Sequence, residues 1–268
     1  MGSTKRLLHF VVIDPIGRKR VKPIRLTTPQ DAALHRGHGW ADLGRGRAGL
    51  VSTGKQNDRV RLVLIRHAEP EAHIKRVVAG PKGCTGLTDR GRAQAVALGD
   101  RLAHDAEHFD VLYSSVLARA VETAQIVGVK LGISELRQDC DLCELHPGEC
   151  DGMAWEEQVR LYGSISTTRP DDPISPGGES LRSFDRRARA ALDRLVDRHA
   201  GDSVAVVTHG GFISVAMLAL LDHEGLEMKK GFVLNPDYTS LTEWVRDYPS
   251  TPWLLQRYND AGHLARLT

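Results

Sequence analysis

Apolar positions along the chain fall into blocks with two different spacings. Leu62-Val63-Leu64-Ile65 and Ser203 to Val207 are continuous runs of strand length, the pattern of strands buried on both faces. Val111-Leu112-Tyr113 is a shorter run, and Glu135 to Gln138, Thr239 to Val245 and Leu254 to Tyr258 also read as strands. Between them the spacing changes to threes and fours. Thr88 is a natural N-cap, with Asp89 in the first turn and Ala95, Leu98 and Leu102 on one face up to about Ala106. A second helix opens at Ser114-Ser115, carries Ala120, Ala124, Val127 and Leu131, and stops at Gly132. The clearest helix spans Ser180 to Ala200, with Leu181, Phe184, Ala188, Leu192 and Leu195 on one side. An apolar helix follows Gly210-Gly211 and runs to Leu221. Glu69 to Leu87 reads as a loop. Residues 140 to 178 are irregular apart from a helix over Ala154 to Tyr162, since Pro170, Pro173 and Pro176 break the rest. Strands alternating with helices predict an α/β fold with a mainly parallel sheet.

The first 58 residues do not share this rhythm. Lys5 to Ile13 is a candidate strand and Arg18-Lys19-Arg20 a basic cluster. Ala32 to Lys55 is rich in Gly, Arg and His and has little periodicity, a composition that buries little apolar surface. The expected organisation is a basic, flexible N-terminal extension over 1–58 and one domain over 59–268. Charge sharpens this division. Through Arg59 there are 12 Lys and Arg against 4 acids, so this segment carries about +8 of a net +2 and the remainder about −6. A solvated extension is the simpler reading, and electrostatic attachment to nucleic acid or an acidic partner the functional one. Gly49 to Gln56 comes close to a phosphate-binding P-loop. It has Gln56 where Ser or Thr must hold magnesium, and it lacks the preceding strand, so it is set aside.

Composition adds few constraints. Hydrophobic content of 41% and charged content of 26% are ordinary for a globular protein. No apolar run approaches the roughly 18 residues of a membrane span. Leu7 to Ile13 lacks the cleavage site of a signal peptide. Four cysteines in 268 residues do not make a disulfide scaffold, and the expected location is the cytoplasm.

Candidate chemistry clusters at strand ends. Arg66 and His67 follow one buried strand, His209 follows another, and Arg119 lies in the first turn of the helix after a third. Strand ends of a parallel sheet converge on one edge, where ligands bind. Two arginines, two histidines and helix N-termini there make an anion pocket suited to a phosphoryl group.

These residues also carry a resemblance. Leu64-Ile65-Arg66-His67-Ala68-Glu69 resembles the signature of the histidine phosphatase, or phosphoglycerate mutase-like, superfamily, with Ala68 where glycine is commoner. Leu87 to Ala95, Tyr113 to Ala124, Leu142-Cys143-Glu144, Gly177 to Ser180 and Val206 to Gly211 resemble its later blocks in order. The similarity runs from about Val60 to Val245. It implies a three-layer α/β/α sandwich of phosphoglycerate mutase-like fold. It further implies a metal-independent phosphoric monoester hydrolase with no cofactor. His67 would be the nucleophile that becomes phosphohistidine. Arg66, Arg119 and His209 would hold the phosphoryl oxygens. Glu144 would be the general acid and base, with Glu149 and Asp151 as nearby alternatives. The physics agrees: His67 must be neutral at its attacking nitrogen, so its other nitrogen should donate a hydrogen bond. Phosphoryl transfer needs positioning and positive charge, which side chains can supply without a metal.

Two departures favour a phosphatase over a mutase. Glu71-Ala72-His73 stands where the mutases and some phosphatases of the family carry asparagine, and the matching region is short beside the cofactor-dependent mutases. Mutase activity remains the alternative, as does a weakly catalytic binding protein that uses the basic arm. The expected partner is a small phosphorylated molecule, with a phosphoprotein as the other option, and neither membrane nor nucleic acid is expected. A homodimer is compatible with the sequence. Trp155, Arg160, Tyr162 and Arg169 are candidate contacts for the leaving group. Cys140, Cys143, His146 and Cys150 read C-x2-C-x2-H-x3-C, close to a zinc knuckle but not its usual spacing, so they are read as reduced thiols without a metal.

Overall fold

A computed structural model describes residues 9–13, 19–23, 58–164, 169–221 and 234–267. The chain separates into two compact units, Met1–Ser52 and Thr53–Thr268. In the first, β1 (His9–Ile13) pairs antiparallel with β2 (Lys19–Pro23), His9 opposite Pro23. The strand expected over Lys5 to Ile13 is present in its second half. The mobile arm expected over Ala32 to Lys55 and the near-match to a P-loop lie outside the described residues.

The second unit is built on six strands: β3 (Val60–Arg66), β4 (Val111–Ser114), β5 (Leu136–Gln138), β6 (Ser203–Thr208), β7 (Leu241–Arg246) and β8 (Leu254–Asp260). They lie in the order β5-β4-β6-β3-β7-β8. β5, β4, β6 and β3 run parallel, and β7 is antiparallel to both β3 and β8. Central β3 and β6 are the two continuous apolar runs, as expected for strands covered on both sides.

Alternation along these strands sorts their side chains into two cores. Val63, Ile65, Leu112, Ala205 and Val207 face α2 (Asp89–His104) and α3 (Ala118–Leu131), meeting Leu98, Leu102, Ala120, Ala124 and Val127. Leu62, Leu64, Tyr113, Val204, Val206 and Trp244 face α5 (Leu181–Arg198) and α6 (Gly210–Leu220), meeting Phe184, Leu192, Phe212 and Ile213. Each fully buried Leu, Ile or Phe contributes about 1.5–3 kcal/mol. The result is the expected α/β/α sandwich. Two short helices, α1 (Glu71–Ile74) and α4 (Trp155–Tyr162), sit in the connections.

Local signals hold at most helix ends. Thr88 Oγ1 accepts from the Gly91 N–H at 2.9 Å, and Gly132 ends α3 with φ 68°. Two expectations shift. Part of the loop after Glu69 is α1. The helix expected from Ser114-Ser115 starts at Ala118, because both serines still belong to the sheet: the Ser115 N–H donates to Val207 O and Ser114 O accepts from the Asp139 N–H, each at 3.0 Å.

The end of the sheet where β3 begins carries an ion network. Arg61 pairs with Glu243 and Glu107, each at 2.6 Å, and Arg257 pairs with the same two acids at 2.6 and 2.8 Å. No helix among the described residues is long and apolar enough to cross a membrane.

Candidate active site

At the other end of the sheet, register brings two imidazoles together. Arg66 stands opposite Thr208 in the β3–β6 pair, so His67 and His209 leave the sheet as neighbours. Their ring centroids are 5.1 Å apart and both rings are buried. Arg119, in the first turn of α3, reaches both. Its Nε donates to His67 Nε2 and its Nη2 to His209 Nδ1, each at 3.1 Å, while Nη1 donates to Ala79 O at 2.8 Å.

A guanidinium can only donate, and that fixes both tautomers. His67 Nε2 carries a lone pair, and Nδ1–H donates to Ala68 O at 2.7 Å. His209 accepts at Nδ1, so Nε2–H donates to Ser115 Oγ at 2.8 Å. Ser115 Oγ also accepts from the Leu117 N–H at 3.1 Å, which leaves its own hydrogen for Cys143 Sγ at 3.4 Å. Both histidines are held neutral. Burial, and then the positive charge of Arg119, push each well below the ordinary histidine pKa.

Arg66 completes a cationic cradle. Its guanidinium lies over the Tyr238 ring, 4.3 Å from the centroid, and Nη1 donates to Pro236 O. Its Nε is buried and has no hydrogen-bond partner. Arg119 directs its donors to two ring nitrogens and a carbonyl, and Arg66 directs Nη1 to Pro236 O and Asn235 Oδ1. Among the described residues neither is paired with a carboxylate.

Glu144 lies on the loop after β5. Its Oε2 accepts from the Gly211 N–H at 2.9 Å in the first turn of α6, and Oε1 accepts from the Leu145 N–H at 3.2 Å. The contact requires glycine: a Cβ at Gly211 would stand 2.1 Å from Glu144 Oε1. Arg187 anchors the loop backbone by donating to Asp141 O, Cys143 O and Glu144 O at 2.8–3.1 Å, and Glu179 accepts from the same guanidinium. Of the three candidate acids, Glu144 is the one that lines the cleft. Asp151 instead accepts the Gly80, Lys82 and Gly83 N–H groups at 2.8–2.9 Å, and Glu149 is exposed.

Arg66, His67, Arg119 and Glu144 border a cleft of about 460 Å³. Its walls include Val78, Leu145, Trp155, Ile174, Phe184 and Tyr238. The histidine phosphatase superfamily (branch 1) matches residues 62–261, a span that contains every one of these groups. The chain belongs to the histidine phosphatase superfamily. It is similar to phosphoglycerate mutase-like protein 4 of Arabidopsis thaliana, at 34% identity over 211 residues, 77% of this chain and 88% of that protein. It is also similar to the metal-independent phosphoserine phosphatase of Arabidopsis thaliana, at 28% identity over 233 residues, 85% of this chain and 93% of that one. Among solved structures, a phosphoserine phosphatase from Entamoeba histolytica, in complex with 3-phosphoglyceric acid, superposes with a TM-score of 0.61. That pair is 28% identical and covers 76% of this chain and 99% of the other.

Within this histidine phosphatase, the leaving-group side departs from the sequence reading. Trp155 lines the cleft, its ring edge-on to His73 at 5.4 Å. Arg160 does not: it is exposed and stands 3.7 Å from Glu157. Tyr162 and Arg169 line a small cavity of about 90 Å³ that adjoins the cleft, with Leu145, Ile174 and Leu181 common to both, and Arg169 pairs with Asp172 at 3.1 Å. Long polar side chains on an exposed helix and turn find partners nearby and need not turn inward. Ser115, Gly211, His73 and Tyr238 are the residues that sequence reasoning missed. The first reads as a helix opener, and the second as part of the glycine pair before an apolar helix. His73 and Tyr238 lie in connections with no periodic pattern. Cys150 also stands apart from Cys140, Cys143 and His146, since its thiol is buried and donates to Pro147 O at 3.0 Å.

Proposed function

We propose that this protein hydrolyses phosphomonoesters through a phosphohistidine on His67, without a metal. The observation that carries this reading is the His67 tautomer. Its Nε2 lone pair stands beside Arg119 and near Arg66, neither of which is paired with a carboxylate among the described residues. In the first step Nε2 attacks phosphorus and the bond to the leaving oxygen breaks. Glu144 gives a proton to that oxygen as the bond breaks. Arg119 Nε transfers its hydrogen bond from His67 Nε2 to a phosphoryl oxygen, and the partnerless Arg66 Nε takes another. In the second step Glu144 takes a proton from water, the water oxygen attacks phosphorus, and the P–N bond returns its pair to Nε2.

The walls of the cleft indicate the leaving group. Beyond Arg66, Arg119 and the nucleophile His67, His73 is the one further basic group among the described lining residues, and most of the rest are apolar or aromatic. A leaving group that carries its own carboxylate would lack a guanidinium partner there. An aryl or alkyl alcohol fits better, and the same feature argues for hydrolysis rather than mutase transfer between sugar-acid positions. The test is rapid quenching with a 32P-labelled aryl phosphate. An acid-labile, alkali-stable phosphoprotein should form, and it should be absent, together with turnover, in His67→Ala. Turnover should persist in EDTA. Turnover surviving in His67→Ala would overturn the mechanism.

A further inference from the structure

The loop that carries Glu144 holds a cluster that the phosphatase chemistry leaves unused. Cys140, Cys143 and His146 bring their ligand atoms within 4.8 Å of one another. The two sulfurs are 3.9 Å apart, and Cys140 Sγ is 3.8 Å from His146 Nε2. A tetrahedral zinc ion, with bonds of about 2.3 Å to sulfur and 2.0 Å to nitrogen, separates two thiolates by about 3.8 Å and a thiolate from an imidazole nitrogen by about 3.5 Å. The two edges measured on the protein are within about 0.3 Å of those spacings. Cys150, the fourth member of the sequence spacing, points to Pro147 O instead. This makes a three-ligand site with Cys140 exposed.

Surrounding groups suit a bound cation. His146 Nδ1 lies 3.7 Å from Glu179 Oε2, so a carboxylate backs the imidazole on the side away from Nε2. On the other flank, Arg119 fixes His209, His209 fixes Ser115, and the Ser115 hydroxyl is left to donate to Cys143 Sγ. A hydrogen-bond donor aimed at sulfur stabilises a thiolate.

We propose that Cys140, Cys143 and His146 bind one zinc ion, and that the ion locks the loop of Glu144 and slows turnover. Binding releases two thiol protons to solvent, and His146 coordinates through neutral Nε2 with its proton on Nδ1 facing Glu179. Two thiolates and Zn2+ sum to zero charge. The ligands bracket Glu144, so a closed site fixes the chain on both sides of it. The same network joins Cys143 to His209 and Arg119. Binding itself rests on the ligand geometry, whereas the effect on turnover rests also on the phosphatase reading.

The experiment uses the reduced full chain, titrated with Co2+ and then Zn2+. One equivalent of Co2+ should give a thiolate-to-cobalt charge-transfer band that Zn2+ displaces. Cys140→Ser and His146→Ala should each weaken zinc by more than the about 10–100-fold typical of losing an outer-shell partner, and Cys150→Ser should leave it unchanged. His67→Ala should bind metal normally, which separates failure of this site from failure of the phosphatase reading. Saturating Zn2+ should lower alkyl phosphate turnover about tenfold or more, reversibly on chelation, and Cys140→Ser should blunt that loss. Absence of the charge-transfer band, or a band untouched in both ligand variants, would overturn the site. Unchanged turnover at saturation would overturn the locking of the loop.

Discussion

β3 carries an arginine near each end, and the two are treated in opposite ways. Arg61 is clasped by Glu107 and Glu243, which also pair with Arg257. Arg66, at the other end, meets a carbonyl, an amide oxygen and an aromatic ring, and its Nε is left without a partner. Arg119 beside it is likewise free of carboxylates among the described residues. At the first end charge is cancelled within the fold and serves to tie β3, β7, β8 and the turn after α2 together. At the second, charge is left uncancelled where the strands open onto a cleft. Uncompensated buried cations cost stability, and they are retained where an anion will meet them.

The largest expected effect separates the two ends directly. Arg119→Ala removes charge-assisted hydrogen bonds worth about 1.5–3 kcal/mol each, so kcat/KM should fall about 10³-fold for every phosphate ester. Arg61→Ala should leave kcat/KM near wild type and instead lower the thermal midpoint, through a loss of about 2 kcal/mol. Steady-state kinetics and a melting curve on both variants check this, and a swap of the two phenotypes would break the comparison. Next, Glu144→Gln should cost about 10²–10⁴-fold with alkyl phosphates and far less with p-nitrophenyl phosphate, whose leaving group needs no proton. An equal loss with both esters would remove Glu144 as the acid.

The smallest effect concerns pH. His67 and His209 are kept neutral by burial and by Arg119. His263, partly buried near Arg101, is pushed down to about 4. The unfolded chain takes up these protons below about pH 6.5, whereas the fold refuses them. More protons bound to the unfolded state means that stability is complete above that pH and declines as pH falls through it. Urea midpoints measured between pH 7.5 and 5 should therefore fall, and His263→Gln should flatten the decline. A midpoint constant across that range would mean that these histidines are not held neutral.

Much of the reactive end was legible in the sequence for a simple reason. Arg66, His67 and His209 each follow an apolar run that can only be a buried strand, and parallel strands open on one edge. Arg119 was legible because a helix after a strand starts at the same edge. The wall of the cleft was not. His73 and Tyr238 reach it from connections whose path is set by packing, and Trp155, at the start of α4, faces the cleft while Arg160 and Arg169 pair with Glu157 and Asp172. Ser115 was misread because a serine before a helical pattern looks like a cap, and only the pairing with Val207 shows that the strand has not yet ended. The ion network at the far end was also invisible, since Glu107 and Arg257 lie 150 residues apart.

The missing side chain at Gly211 has a practical consequence for redesign. Its amide holds the Glu144 carboxylate, and the space that a Cβ would take is already filled by that carboxylate. Adding one methyl group at Gly211 would therefore displace the acid while leaving its chemistry and every charge in the cleft unchanged. Gly211→Ala works as a spacer of one carbon atom, a means of moving the Glu144 carboxylate from a position that carries no functional group.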